Sequence, residues 1–166
     1  AQVLVARGED MRGALLRGIA PAEEASVTPL AAQLQATTFA KLKAGEWNIV
    51  LGIELARALG VREGDKLTVV TPGGQVTPAG IVPRLKQFTV AGTFEAGHYE
   101  YDSALALIHL DDAARLLRVE GPTGLQLKLT DAQAARAVAG QLARVLPSHI
   151  SVRDWTRTNR NWFDAV

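Results

Sequence analysis

His98, Glu100 and Asp102 occupy alternate positions in the string HYEYD. On an extended chain they share one face, and an imidazole with two carboxylates is a donor set that can hold a divalent metal. A metal centre also needs converging geometry and groups that orient the ligands. His109 and His149, the other two histidines, belong to unrelated strings. The triplet is therefore read as a solvated strand end, with a metal-dependent hydrolase kept as the minor alternative.

Other catalytic patterns are absent. There is no GxSxG elbow, no HExxH and no cysteine. Ser26, Ser103, Ser148 and Ser151 fall in turns or at strand edges, where hydroxyls bond locally. Gly73-Gly74 follows a strand but opens no helix, and no Lys-Ser/Thr follows it, so a phosphate loop is excluded. Glu23-Glu24 reads as solvated surface and Asp111-Asp112 as a helix cap. Arg153, Arg157 and Arg160 stand at spacings that place them on one helical face, either a solvated face or a polar collar leading to a membrane.

The strongest local signal carries no catalytic group. Residues 72–83 hold three prolines, three glycines and no charge. Hairpins usually connect through about two to five residues, whereas this connection reads as about a dozen. Val76, Ile81 and Val82 make it apolar, and Pro72, Pro78 and Pro83 restrict it. Restriction lowers the ordering cost of capture by a partner, and exposed apolar residues favour docking. Arg84 and Lys86 at its base can steer an acidic partner.

The elements that must position this arm follow from patterning. Residues 2–7 and 11–19 read as a strand pair around a GED turn, a hairpin whose edge at the chain end calls for a partner from outside the visible sequence. Residues 21–28 read as a polar loop with a possible helical turn, and 30–39 give mixed signals. Residues 48–51 read as a strand and 52–59 as a helix ended by Gly60. Strands are expected at 66–71 and 87–94. An extended, then apolar run covers 99–110, and a capped short helix runs to 117. Residues 124–129, 132–146 and 149–152 read as a β-α-β unit. The tail opens on an Asp154 cap and carries Trp155, Trp162 and Phe163 at helical spacing.

Composition bounds the class. The chain has 166 residues, 48% hydrophobic and 21% charged, with Lys+Arg 18 against Asp+Glu 17. That is an ordinary globular balance. A net charge of +1 gives no field for nucleic acid. No apolar run approaches the roughly 20 residues that span a bilayer, and the first residues do not read as a signal peptide. Taken alone, these numbers describe a soluble, self-contained cytosolic domain.

The ordered motifs change that reading. The string GEWNIVLGIELARALGVREGDKLTVVTP, residues 45–72, resembles the extracytoplasmic domain of LolC/LolE-type permeases, which belong with MacB-like ABC transporters. The likeness continues through QFTVAGTFEAGHYEYDSALALIHLDDAARLLR and GLQLKLTDAQAA to SVRDWTRTNRNWF. It implies an α+β fold with a MacB-like periplasmic core. A discontinuous β-α-β porter-type subdomain would comprise 1–20 and 122–166, with its first strand and helix preceding residue 1. An inserted, strand-rich sabre-type subdomain, 21–121, would carry a long β-hairpin loop.

The resemblance also implies a non-catalytic domain on the periplasmic side of the inner membrane that releases lipoproteins and needs no cofactor. Its expected partners are the periplasmic chaperone LolA, a LolD-type ATPase subunit, a LolE-like or identical permease subunit and the lipoprotein substrate. The hook that docks LolA would be Pro72, Gly73, Gly74, Gln75, Val76, Thr77, Pro78, Ala79, Gly80, Ile81, Val82 and Pro83. Arg84 and Lys86 would form a basic pad beside it. Thr68 stands where a further basic residue is expected, and GLQLKLTD is closer to the LolE branch, which leaves a homodimer of hybrid subunits open. The alternative is a MacB-like domain that binds another periplasmic adaptor or signal.

Overall fold

Alternation in the first residues decides which side of the first strand is core. In Gln2–Arg7 (β1) Val3 and Val5 are buried while Gln2 and Leu4 are exposed, as a half-covered strand requires. It pairs antiparallel with Asp10–Ile19 (β2), from Gln2↔Leu15 to Arg7↔Asp10. A computed structural model of the chain describes residues 1–27, 36–78 and 80–158. The chain forms two compact units, 1–125 and 126–166.

In the first unit six strands close into a barrel. The others are Asn48–Gly52 (β3), Lys66–Thr77 (β4), Gly80–Phe94 (β5) and Leu105–His109 (β6). Their order is β1-β2-β6-β3-β5-β4, with β4 returning to β1. The β2–β6 and β3–β5 pairs are parallel; the rest are antiparallel. The N-terminal hairpin was expected to leave a bare edge, and it does not. β1 bonds to β4 through Leu4↔Val70 and Val5↔Val69, and β2 bonds to β6. Closure satisfies both edges within the chain. The hairpin grouped above with the C-terminal third thus hydrogen-bonds within this barrel.

β3 and β6 are short continuous apolar runs because both of their faces are covered. Ile49, Leu51, Ala106 and Ile108 join the inner core with Val3, Val5, Phe88 and Val90. Val50, Leu105 and Leu107 join a second cluster with Phe39 and Leu42. Phe39 lies on the helix Ala36–Ala40 (α2), which follows Pro21–Val27 (α1). α1 replaces the expected polar loop, and its Glu24 pairs with Arg17 at 3.0 Å. Of the mixed-signal stretch 30–39, residues 30–35 lie outside the described residues.

Ile53–Ala58 (α3) ends as its glycine foretells. Gly60 has φ 60°, its N–H donates to Arg57 O, and Val61 N–H donates to Ala56 O. These two bonds satisfy carbonyls that a helix end would otherwise leave bare. At the start of α3 lies a closer constraint. A Cβ at Gly52 would meet the Asp102 backbone, with the carbonyl carbon at 2.7 Å and Cα at 2.8 Å. Replacing Gly52 by Ala is expected to cost about 2–3 kcal/mol through overpacking against rigid backbone. A lower urea midpoint with an unchanged slope would show it.

Residues expected to extend from 99 instead form the helix Tyr99–Ala104 (α4), and β6 begins only at Leu105. Asp102 turns inward there. Its Oδ1 accepts Ala96 N–H at 2.6 Å, a local bond that the polar alternation of HYEYD could not reveal. Leu110–Leu117 (α5) follows β6 directly.

The second unit departs further from expectation. The helix is present, as a 3-10 turn at Ala132–Ala134 and then Ala135–Val145 (α6). Asp131 caps it by accepting Gln133 N–H at 2.9 Å. Residues 124–129 and 149–152 form no strand, so no β-α-β unit is built. A strand needs a ladder partner along its length. Leu125, Leu127 and Val145 are accordingly 87%, 64% and 77% exposed. The short helix Trp155–Thr158 (α7) follows. Asp154 accepts Thr156 N–H at 3.0 Å, and Trp155 Nε1 donates to Ala132 O at 2.9 Å.

Candidate functional site: the β4–β5 hairpin

The arm read as a dozen-residue connection is mostly ladder. β4 runs to Thr77 and β5 starts at Gly80. A base pairs Lys66↔Thr89 through Thr71↔Arg84, and a tip pairs Gln75↔Val82, Val76↔Ile81 and Thr77↔Gly80. Register shifts between Thr71 and Gln75. Three residues of β4 there (72–74) face one of β5 (83). Pro72 and Pro83 both fall in that break. Proline has no N–H to give a ladder, so a bulge is where strands tolerate it. On the shorter side the four residues from Gly80 to Pro83 carry the ribbon roughly 13 Å beyond the base at ~3.3 Å per residue.

Pro72, Gly73, Pro78, Gly80, Val82 and Pro83 are exposed, and Gly74 is half-buried. Gly80 has φ 121°, a conformation that side chains resist. A Cβ at Gly73 or Gly80 would meet nothing within 4 Å. Of Gln75, Val76, Thr77 and Ile81 only the backbone is described, and Ala79 lies outside the described residues.

The two cations at the base do not stand on the outer face. Their ladder partners Thr71 and Val69 are buried, as is Phe88, two residues beyond Lys86 on the same side of β5. Arg84 and Lys86 therefore lie half-buried at the rim of the barrel interior. Lys86 Nζ sits 4.1 Å from the centroid of the Trp47 ring. Arg84 Nε is buried and has no hydrogen-bond partner among the described residues. Thr68 is half-buried on β4 opposite Gln87.

Trp47 was missed in the sequence, and Asp112, which holds it, was read only as a helix cap. Its φ is 55°, and its ring meets Phe88 edge-on with centroids 5.6 Å apart. Asp112, fully buried on α5, accepts Gly45 N–H at 2.7 Å and Trp47 N–H at 3.2 Å. Asp112 is thus a clamp on the 45–47 turn and does not cap its own helix. That task falls to His109, whose Nδ1 accepts Asp111 N–H at 3.1 Å.

The alternate His98, Glu100 and Asp102 do not converge. His98 precedes α4, Glu100 is exposed and Asp102 is committed to Ala96. Successive positions on α4 turn by about 100°, which places Glu100 opposite the other two. Among the described residues no group of three His, Cys, Asp or Glu could hold a metal ion. Arg153 precedes α7 and is exposed, only the backbone of Arg157 is described, and Arg160, Trp162 and Phe163 lie outside the described residues. Among the described residues no helix is long and apolar enough to cross a membrane.

Known proteins resemble this chain along nearly its whole length. It is 47% identical over 167 residues to the lipoprotein-releasing system transmembrane protein LolC of Neisseria meningitidis, covering 99% of this chain and 40% of that protein. The same-named protein of Xylella fastidiosa is 43% identical over 160 residues, covering 96% and 39%. That of Haemophilus influenzae is 32% identical over 145 residues, covering 83% and 35%. The chain thus spans about 40% of the length of the curated relatives it matches most fully. No family model matches it.

Proposed function

We propose that this chain, which belongs to the LolC-type lipoprotein-releasing permeases, is the periplasmic docking domain of an inner-membrane ABC transporter subunit. In this reading it receives the chaperone LolA on the β4–β5 hairpin, and the whole protein releases lipoproteins using ATP hydrolysed by a LolD-type subunit beside a LolE-like or identical permease. The 126–166 unit belongs to the porter-like part, and the barrel carries the sabre-like part.

The observation that supports docking is the hairpin itself. It continues past the barrel as a proline-broken ribbon with exposed Pro78, Val82 and Pro83, and two cations stand at its base. Proline restriction reduces what a partner must order on binding. Arg84 is half-buried, and a guanidinium is suited to bidentate pairing with an incoming carboxylate.

Charge reversal tests the electrostatic half of this reading. Arg84→Glu with Lys86→Glu is expected to reduce LolA capture about tenfold or more at low salt, with the gap narrowing as salt screens the pair. Capture by the reversed chain equal to wild type at low salt would remove the cations from the interface.

A further inference from the structure

Lys86 is held at the hairpin base by something other than its own strand. Its ammonium lies over the Trp47 indole at 4.1 Å, within the range of attraction to an aromatic face. Trp47 is held at three points, one on its ring and two on its backbone. Phe88 packs edge-on against it. Thr89 N–H donates to Trp47 O at 3.0 Å. Asp112 holds the Trp47 N–H, which keeps the residue at a φ of 55° that a tryptophan rarely adopts. Asp112 is in turn immobile, buried on α5 and bonded also to Gly45.

We propose that Trp47 is a positioning residue for Lys86. In this arrangement the buried carboxylate fixes the Trp47 backbone, Phe88 backs its ring, and the indole sets where the positive charge at the base of the hairpin is presented to an acidic protein surface. A lysine tethered by four methylenes would otherwise sweep a wide arc, and fixing it removes rotamer entropy that binding must overcome. The face Lys86 occupies is the barrel rim that it shares with Arg84, so the two charges are offered side by side. The inference rests on the docking reading for its consequence, but the Trp47–Lys86 contact stands by itself.

The experiment has two arms. In the unliganded chain, the Lys86 ε-methylene protons are expected to be shifted upfield by the indole ring current, and Trp47→Leu should return them to the ordinary lysine position. An ordinary position in the wild type overturns the proposal without any partner being added. In LolA capture, Trp47→Leu and Lys86→Met are each expected to cost about three- to tenfold, as removal of a cation–π contact would. The double variant should cost no more than the larger single loss, and Trp47→Phe should keep most of the binding. Multiplicative losses would mean that the two residues act independently and would overturn the positioning role. If removal of the hairpin arm leaves capture intact, the docking reading has failed, and the proton shifts still decide whether Trp47 places Lys86.

Discussion

Replacing residues 72–83 by Asn-Gly is expected to abolish LolA capture while leaving the barrel folded. The design follows from the register. Thr71 and Arg84 are ladder partners, so two residues suffice to join them, and Asn-Gly is the sequence that a tight two-residue hairpin favours. The shortened chain keeps Arg84, Lys86 and every buried strand residue, and it loses only the ribbon beyond the Pro72/Pro83 break. Arms of this kind concentrate binding energy in a few residues, and their removal lowers affinity at least about 100-fold, or ~2.7 kcal/mol. Stability should change by less than about 1 kcal/mol, because shortening a connection alters closure entropy only slowly. Pulldown of LolA measures the first quantity and a urea melt the second. Undiminished capture by a chain with an unchanged melt would sink the docking reading.

The second large effect lies in the interior. Asp112→Ala is expected to destabilise the barrel by about 2–4 kcal/mol, since it empties a fully buried position and leaves two part-buried backbone N–H groups without their acceptor. Gly45 and Trp47 would lose their acceptors together. Asp112→Asn keeps one acceptor oxygen and should cost about half as much. Against a total of roughly 5–15 kcal/mol for a domain of this size, the alanine variant would stand near its unfolding threshold. Equilibrium urea denaturation followed by circular dichroism checks the order. Equal stability of wild type and alanine variant would show that the clamp is dispensable.

The contrast between these two sites explains what could be read in the residues. Local patterns were legible: the apolar, strand-like runs of β1, β2, β3 and β6, and the glycine ending α3. The arm was legible as an arm because Pro72, Pro78, Pro83 and the glycines punctuate it. Its continued ladder was not, since prolines argue against strand unless a bulge receives them. HYEYD alternates like a strand yet coils into α4, where Asp102 finds Ala96. GLQLKL also alternates, but alternation builds a strand only where a neighbour supplies the ladder. Asp112 and Trp47 meet across a long stretch of chain, and no local signal announces such a pair. A tryptophan between a glycine-containing turn and an apolar run was the one available hint.

The closed order of the strands has a temporal consequence. Leu15 pairs with Leu105, and Leu4 with Val70, and four of the barrel's six strand pairings join segments distant in the chain. Topologies of this kind fold in roughly milliseconds to seconds, because loop closure must precede any reward from distant pairing. β6 inserts between β2 and β3, and it is the last of the barrel's strands to be synthesised. Until residue 109 has emerged, β2 and β3 each present an open edge that nothing within the nascent barrel can cover. The interval between synthesis of β3 and synthesis of β6 is therefore when the barrel is most exposed to pairing with a stranger, and the barrel is completed in one late step.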